Sequence, residues 1–92
     1  MPKNIDIAYI AGFFDGEGHV QGSKSVCFAQ KDRAILDWIA LQFEGGIVTK
    51  NRRTDVHRLT YNTRKALPIL EAMLPFLKGK KLEAEVYIIS YT

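Results

Sequence analysis

The sequence has few of the features that would place it outside the ordinary soluble globular proteins. Cys27 is the one cysteine among 92 residues, so apart from an intermolecular bond no disulfide framework exists, and a reduced intracellular environment is expected. No apolar run approaches the roughly 20 residues that cross a bilayer, and no signal peptide opens the chain. Internal repeats and linkers are also missing. We therefore expect one soluble, intracellular domain over residues 1–92, with no membrane partner, in a compartment that the sequence does not specify.

Neither positive nor negative charge is in large excess. The chain has 13 Lys and Arg against 10 Asp and Glu, and a net charge of +3 alone indicates little. The distribution is more informative, because basic residues cluster within residues 50–65 and again within residues 78–81. Such clusters neutralise phosphates in nucleic-acid-binding proteins. A solvated loop and helix end explain the same clusters about equally well, so both interpretations stay open.

Hydrophobic periodicity predicts the element order α-ββ-α-ββ-α-α. Asn4 or Asp6 is the expected cap of the first helix, and Gly16 and Gly18 are expected to break it. The predicted elements are helices at about 5–15, after the cap Asp32, at about 66–74 and at about 80–91, and hairpins at 19–30 and 47–62. The fold class is therefore α+β, with a four-stranded antiparallel sheet that helices back on one side and that leaves its other face free and polar.

The first helix carries both an apolar face and a stripe of small residues. The apolar residues assigned to the chain's own core are Ile7, Ile10, Phe13 and Phe14. The small residues Ala8, Gly12 and Gly16 recur every four positions. Glycine inside a helix costs about 1 kcal/mol relative to alanine, so Gly12 needs a reason, and close approach of another helix is a good one. From spacing alone, packing against the chain's own second helix explains the stripe at least as well as packing against a second copy.

The segment Asp15-Gly16-Glu17-Gly18 puts two carboxylates at the C-terminal end of this helix, where the macrodipole disfavours them. A bound divalent cation such as Mg²⁺, which prefers oxygen ligands, would offset that cost. If a dyad axis passed beside the helix, two Glu17 side chains would approach closely and would repel each other or take up a proton without a metal nearby. Such a pair suits phosphodiester hydrolysis, in which metals stabilise the attacking and leaving oxygens.

Residues 10–18, IAGFFDGEG, resemble the nine-residue motif that names the LAGLIDADG homing endonuclease family. Isoleucine replaces the first leucine, phenylalanines fill two apolar positions, and Gly-Glu-Gly stands for Ala-Asp-Gly. The α-ββ-α-ββ-α order is also the half-unit of that family, so the resemblance covers nearly the whole chain. It implies a saddle-shaped sheet and, because the chain has one motif rather than two, a homodimer built around the motif helix.

The resemblance also implies roles for individual residues. Glu17 would bind the metal, Mg²⁺ or Mn²⁺, and the Gly16 carbonyl would add an oxygen, while no organic cofactor is expected. Gln30 would order water in the active site. Lys80 would stabilise charge near the cleaved phosphates, with Lys78 or Lys81 as the counterpart if the register slips. The predicted interface residues are Ala8, Ala11, Gly12, Asp15 and Gly16, among which Asp15 would also have a structural, helix-capping role.

For function, the resemblance implies intron homing by cleavage of a palindromic or nearly palindromic double-stranded DNA, with the sheet in the major groove. By strand parity, the expected base readers are His19, Gln21, Ser25, Thr49, Asn51, Arg58, Thr60 and Asn62. The residues expected to contact phosphates are Lys24, Lys50, Arg52 and Arg53. Only twelve residues separate Glu17 from Gln30, so the first hairpin is shorter than is usual in the family and fewer bases should be read.

Two other functions fit parts of the sequence. A non-cleaving relative, such as an RNA maturase or a DNA-binding regulator, would need the fold but neither Glu17 nor Lys80. A helix-mediated dimerisation module would need no nucleic acid, but its outer sheet face would not require the polar residues Arg58, Thr60 and Asn62. The endonuclease interpretation accounts for both sets of residues.

Overall fold

The computed structural model describes residues 2–92, so Met1, which falls within the predicted domain, lies outside the described residues. The predicted order α-ββ-α-ββ-α-α is confirmed. The helices are α1 (Asn4–Glu17), α2 (Arg33–Gln42), α3 (Leu67–Met73) and α4 (Lys81–Ile89). The strands are β1 (Gly18–Gln21), β2 (Ser25–Gln30), β3 (Ile47–Lys50) and β4 (His57–Asn62). None of the helices in the described part of the chain is long and apolar enough to cross a bilayer.

The four strands form one antiparallel sheet in the order β1-β2-β4-β3, which confirms the predicted α+β fold. The hairpins β1–β2 and β3–β4 meet through their longer strands, β2 and β4, in the middle of the sheet. The turn between β1 and β2 is tight, because Gly22 adopts a positive φ of 55° and the Lys24 amide donates to the Gln21 carbonyl at 3.0 Å. β1 has only four residues, so the first hairpin is as short as its sequence predicts.

The inner face of the sheet and the helices enclose the core. Alternation along the strands puts Phe28 and Leu59 on this face as a cross-strand pair. Helix α1 lies against the same face, and its Phe14 ring packs at 5.1 Å from the ring of Phe28. The fully buried residues contributed by the helices include Ile10, Phe14, Leu36, Ile39, Ile69, Leu70, Met73 and Tyr87.

The ends of α1 differ from the sequence expectation. The N-cap is Lys3 without a side-chain hydrogen bond, so neither Asn4 nor Asp6 caps the helix, and that prediction is wrong. The helix also continues through Gly16 to Glu17, because one helical glycine costs only about 1 kcal/mol. Gly18 ends the helix with an extended backbone (φ −93°, ψ 169°), and a Cβ there would collide with the ring and the main-chain oxygen of Phe14. The cap of α2 is confirmed, with the Asp32 carboxylate accepting from the Ala34 amide at 2.9 Å.

The helices in the last third of the chain are shorter than predicted. A 3-10 turn at Thr63–Ala66 precedes α3, and Pro68 lies in the first turn of α3 as expected. Helix α4 contacts the core through Ala84 and Tyr87, while three of its apolar residues are exposed. Those exposed residues are Leu82, Val86 and Ile89.

Candidate nucleic-acid and metal-binding site

The outer edge of α1 is not covered by any other part of the described chain. Ile5 and Tyr9 are 75% and 57% exposed, and Gly12 and Gly16 follow them on the same edge. A Cβ placed on either glycine would meet nothing within 4 Å. Packing against the chain's own second helix therefore does not explain the small residues, and that alternative is removed.

One predicted interface residue does not belong to this edge. Ala11 is fully buried in the chain's own core, together with Ile10 and Phe14, so its methyl group is not available to a second copy. The correction follows from helical geometry, because position 11 faces the same way as positions 7 and 14. Ala8 is half-buried, and Gly12 and Gly16 are exposed.

Helix α1 is consequently apolar around most of its circumference, with one face in the core and the other open. Beside the small residues, Ile5, Tyr9, Ile35 and Trp38 line a shallow apolar groove between α1 and α2. The Tyr9 and Trp38 rings meet edge to face at 5.9 Å. Helices that are apolar all round are usually buried on all sides, so this edge has the character of an unfilled interface.

Glu17 is the last residue of α1, and its side chain is exposed at the C-terminal end of the open edge. No ion pair within residues 2–92 involves its carboxylate. The last turn of α1 itself contains no basic residue, and Lys80, from the segment before α4, bonds to the Asp15 carbonyl instead of the Glu17 carboxylate. The carboxylate is therefore available to a cation from outside this chain.

Asp15, two residues earlier, is engaged within the chain. Its two carboxylate oxygens accept from the backbone amides of Lys78 and Lys80, each at 2.9 Å. Burial would raise the pKa of Asp15, but the amides of Lys78, Lys80 and Gly79 and the Lys80 charge together hold it below its usual value. Asp15 thus ties the end of α1 to the segment before α4.

Lys80 is the lysine that this contact brings to the end of α1. Its ammonium group donates to the Asp15 main-chain carbonyl at 2.7 Å and lies 5.9 Å from the centre of the Phe14 ring. The side chain is half-buried, whereas Lys78 and Lys81 are exposed. Of the three candidate lysines, Lys80 is therefore the one whose ammonium group contacts the last turn of α1, which also holds Glu17.

Gln30 is the last residue of β2, as predicted. Gly18 pairs with Phe28, so Gln30 extends past the start of β1 at the end of the sheet where α1 finishes. Its amide oxygen accepts from the Lys31 amide at 2.8 Å, which leaves the amide nitrogen with two donors for another partner. His57 pairs with Gln30 across the sheet and contacts the Lys31 carbonyl at 2.9 Å, so it supports the strand end.

The outer face of the sheet collects most of the predicted base readers. Cross-strand pairing places His19 beside Cys27 and Cys27 beside Thr60 in one row. Arg58 pairs with Thr49 in a second row. The remaining predicted readers that the register assigns to this face are Gln21, Ser25 and Asn62, which form a third row. His19, Gln21, Thr49, Arg58 and Asn62 are exposed, and Thr60 is half-exposed.

Two of the predicted readers are placed differently from expectation. Ser25 is only 8% exposed, and its hydroxyl donates to the Gln21 side chain at 3.3 Å, because both lie near the tight turn of the first hairpin. Asn51 lies beyond the end of β3, and its side chain accepts from the Arg53 amide at 2.9 Å. Asn51 therefore shapes the second turn as an Asx residue instead of projecting from a strand.

The second hairpin encloses a groove at its turn. Lys50 forms an ion pair with Asp55 at 3.4 Å. The other residues expected to contact phosphates, Lys24, Arg52 and Arg53, are exposed at the two turns. The groove has a volume of about 460 Å³ and is lined by Thr49, Lys50, Asn51, Thr54, Val56 and Arg58. Thr54 and Val56 were not among the predicted site residues. The one feature of the sequence that could have indicated them is their position in a polar turn flanked by basic residues.

Solved structures share this fold at low sequence identity. The homing endonuclease I-CvuI, in complex with the I-CreI target in 2 mM Mg with the DNA not cleaved, matches with a TM-score of 0.85 at 20% identity, over 92% of this chain and 64% of that one. With its own target in 2 mM Ca, I-CvuI matches with a TM-score of 0.86 at 20% identity, over 94% and 65%. The archaeal intron-encoded homing endonuclease I-Vdi141I, complexed with DNA, gives 0.78 at 16% identity, over 94% and 66%.

These likenesses define a homing-endonuclease-like fold, and the chain spans about two-thirds of the length of those proteins. The family model of the LAGLIDADG-like domain matches residues 4–74, which is most of the chain. The chain belongs to this family, and the resemblance drawn from residues 10–18 is confirmed. The matched range includes Glu17 and Gln30 and ends before Lys80. Among curated proteins, none matches the chain in sequence.

Proposed function

We propose that this chain, as one domain, forms a homodimeric, site-specific endonuclease that cleaves both strands of a palindromic or nearly palindromic DNA with divalent metal. The observation that carries the proposal is the exposed Glu17 carboxylate at the end of a helix whose open edge has no side chains at Gly12 and Gly16. The family and its DNA-bound structural relatives support the same function.

The dimer is needed to complete the metal site. Within residues 2–92, no group of three or more His, Cys, Asp or Glu side chains could hold an ion. Asp15 is already engaged within the chain, since each of its carboxylate oxygens accepts a backbone amide. Pairing of two copies of α1 along the edge at Ala8, Gly12 and Gly16 would bring two Glu17 carboxylates, with the Gly16 carbonyls, to one shared position.

That donor set fits a hard cation, since carboxylates and carbonyls are the ligands that Mg²⁺ and Mn²⁺ accept. When bound, such a cation stabilises the attacking and leaving oxygens of phosphodiester hydrolysis. Glu17 would hold it. Lys80, whose ammonium lies at the end of α1, would stabilise negative charge on the phosphate, and Gln30 would orient water through its free amide donors.

The outer sheet face would bind the major groove, where the donor and acceptor pattern differs for each base pair. His19, Arg58 and Thr60 would read bases from the middle of this face, and the basic residues at the turns would contact phosphates. Strands of four to six residues are about 14–20 Å long, which corresponds to roughly four to six base pairs per subunit. Homing of an intron is the process such cleavage would serve.

A non-cleaving DNA-binding relative is the second candidate. It is favoured by one observation, that within residues 2–92 no group of three or more His, Cys, Asp or Glu side chains could hold a metal ion. Cleavage must therefore be measured separately from binding.

The test is selection of cleaved products from a randomised duplex library with Mg²⁺, followed by assays of the selected site. We expect wild-type protein to cut both strands of a site with two-fold symmetry and Glu17→Gln to bind that site without cutting it. Glu44→Gln, an exposed glutamate in the α2–β3 loop, is the matched control and should cut normally. Binding of duplex by the wild type without any cleavage would favour the second candidate, and no salt-dependent binding would exclude both.

A further inference from the structure

The end of α1 is connected to the segment before α4 by three hydrogen bonds from a single residue. Asp15 accepts the Lys78 and Lys80 amides with its carboxylate and the Lys80 ammonium with its main-chain carbonyl. The carboxylate therefore fixes the backbone from which the Lys80 side chain departs, and the carbonyl fixes the far end of the same side chain.

This arrangement differs from an ordinary helix cap. The N-cap of α4 is Lys80, whose side chain makes no capping bond, and the two amides that Asp15 holds lie before the helix begins at Lys81. At the other end, the Asp15 carbonyl is in the last turn of α1, where carbonyls have no partner within the helix. Because that turn contains no basic residue of its own, Lys80 is the cation that offsets the negative end of α1.

A lysine side chain is flexible, and an exposed one samples many rotamers. Lys78 and Lys81 are exposed, while Lys80 is half-buried over the Phe14 ring with its ammonium bonded to α1. Only one of the three ammonium protons is used by the Asp15 carbonyl, so two donors remain for a phosphate or a water molecule.

We propose that Asp15 is a positioning residue, which acts on DNA cleavage by holding Lys80 in place at the end of α1 that bears Glu17. The inference rests on the proposed endonuclease function and adds a residue that would touch neither the DNA nor the metal. In this arrangement the first acid of the motif orders the lysine, and the second acid binds the cation.

The test is a double-mutant cycle on the rate of single-turnover cleavage with Mg²⁺, using Asp15→Asn, Lys80→Met and the double variant. Each single change should slow cleavage by about tenfold or more, the range seen when a supporting partner of a reactive group is lost. If Asp15 acts through Lys80, Asp15→Asn should cause no further slowing once Lys80→Met is present. Asp37→Asn, an exposed aspartate on α2, is the matched control and should leave the rate unchanged.

A second measurement does not depend on cleavage. Hydrogen exchange of the Lys78 and Lys80 amides should be protected in the wild type and in Lys80→Met. At least one of the two amides should exchange fast in Asp15→Asn, because asparagine keeps only one of the two acceptor oxygens. Asp15→Glu, which keeps the charge and displaces the carboxylate, should reproduce the slower cleavage in a protein with unchanged circular dichroism.

The outcomes separate the two proposals. Equal slowing by Asp15→Asn in the presence and absence of Lys80 would overturn the positioning role and leave the endonuclease function intact. Unprotected amides at residues 78 and 80 in the wild type would also overturn the positioning role. A wild-type protein that cuts no duplex would overturn the endonuclease function, and the positioning role with it.

Discussion

The two sides of α1 differ in what surrounds them, although both are apolar. On the inner side, Ile10 and Phe14 are fully buried against the sheet, and α3 and the following 3-10 turn close over the helix. On the outer side, Ile5 and Tyr9 are exposed, and Gly12 has open space where a side chain would be. The inner side is therefore complete in one chain, and the outer side has the composition of an interface without a partner.

The glycines follow the same division. Gly18 and Gly46 are required by the chain's own packing, since a Cβ at Gly18 would meet the Phe14 ring and one at Gly46 would lie 2.6 Å from Leu59. A Cβ at Gly12 or Gly16 would meet no other part of the described chain within 4 Å, so the chain's own packing does not require these glycines. A helical glycine that the chain's own packing does not require indicates contact with a second molecule. Substitutions at both kinds of glycine test this difference.

The largest effect is expected at the inner side of α1. Phe14→Ala removes a fully buried ring that packs on Phe28 and receives the Lys80 ammonium, so the free energy of unfolding should fall by about 3–5 kcal/mol. Urea denaturation followed by circular dichroism measures the change. Tyr9→Ala on the outer side is the control, and a comparable loss there at low protein concentration would contradict the division between the two sides.

A smaller loss is expected from Gly18→Ala. The added methyl group must displace both the ring and the main-chain oxygen of Phe14, and such overpacking costs about 1–3 kcal/mol. Gly16→Ala, two residues earlier, adds the same methyl group in open space and should leave the monomer at least as stable. Equal destabilisation by the two variants in thermal unfolding would show that Gly16 is also enclosed.

The difference between an enclosed and an open side can also be tested in the sheet. Tyr61 is a core residue of β4 that lies between two residues of the outer face. Its hydroxyl donates to the Phe43 carbonyl at 2.6 Å, so Tyr61→Phe should cost about 0.5–1.5 kcal/mol near neutral pH. Burial raises the pKa of Tyr61 from 10.0 to about 12. Its folded pKa lies above the unfolded one, so this contribution is complete below pH 10 and is lost as the pH rises from 10 to about 12.

Unfolding measured across that range should therefore show a steeper loss of stability in the wild type than in Tyr61→Phe. Burial likewise raises the pKa of Tyr87 to about 12, with the hydrogen bond and charge of Tyr91 adding to the shift. Tyr87→Phe should also reduce the loss of stability over the same pH range. If both variants lost stability as steeply as the wild type, the burial of these hydroxyls would be contradicted.

The smallest effect on the monomer, opposite in sign, is expected from Gly12→Ala. Alanine should stabilise the free helix by up to about 1 kcal/mol. If two copies of α1 meet at Gly12, the added methyl group should weaken the dimer, and sedimentation velocity should show more monomer at equal concentration. A dimer of unchanged affinity would remove Gly12 from the interface, and a wild-type protein that stays monomeric would remove the interface itself.

Local patterns were sufficient to predict much of the fold. Strand alternation at Leu59 and Tyr61, the Asp32 cap and the Gly22 turn each depend on residues close in sequence, and all three occur in the structure. The acid at the end of α1 was also visible, because its motif is continuous in the chain.

Contacts between distant residues were not predictable in the same way. The half-burial of Lys80 depends on Asp15, 65 residues earlier, and no local pattern contains that contact. The assignment of Ala11 to the open side of α1 was a different kind of error, because its helical position beside Ile7 and Phe14 already indicated the core side. Ser25 likewise has a distant partner, since it pairs with Asn62 of β4 across the sheet.

The hydrogen bonds of Asp15 also bear on the order in which the molecule assembles. They close a loop of more than 60 residues, and the entropy lost in closing such a loop must be offset before any of these bonds contributes. During synthesis, the motif helix and both hairpins are complete before residues 78–80 leave the ribosome. The lysine should therefore reach its position among the last steps of folding.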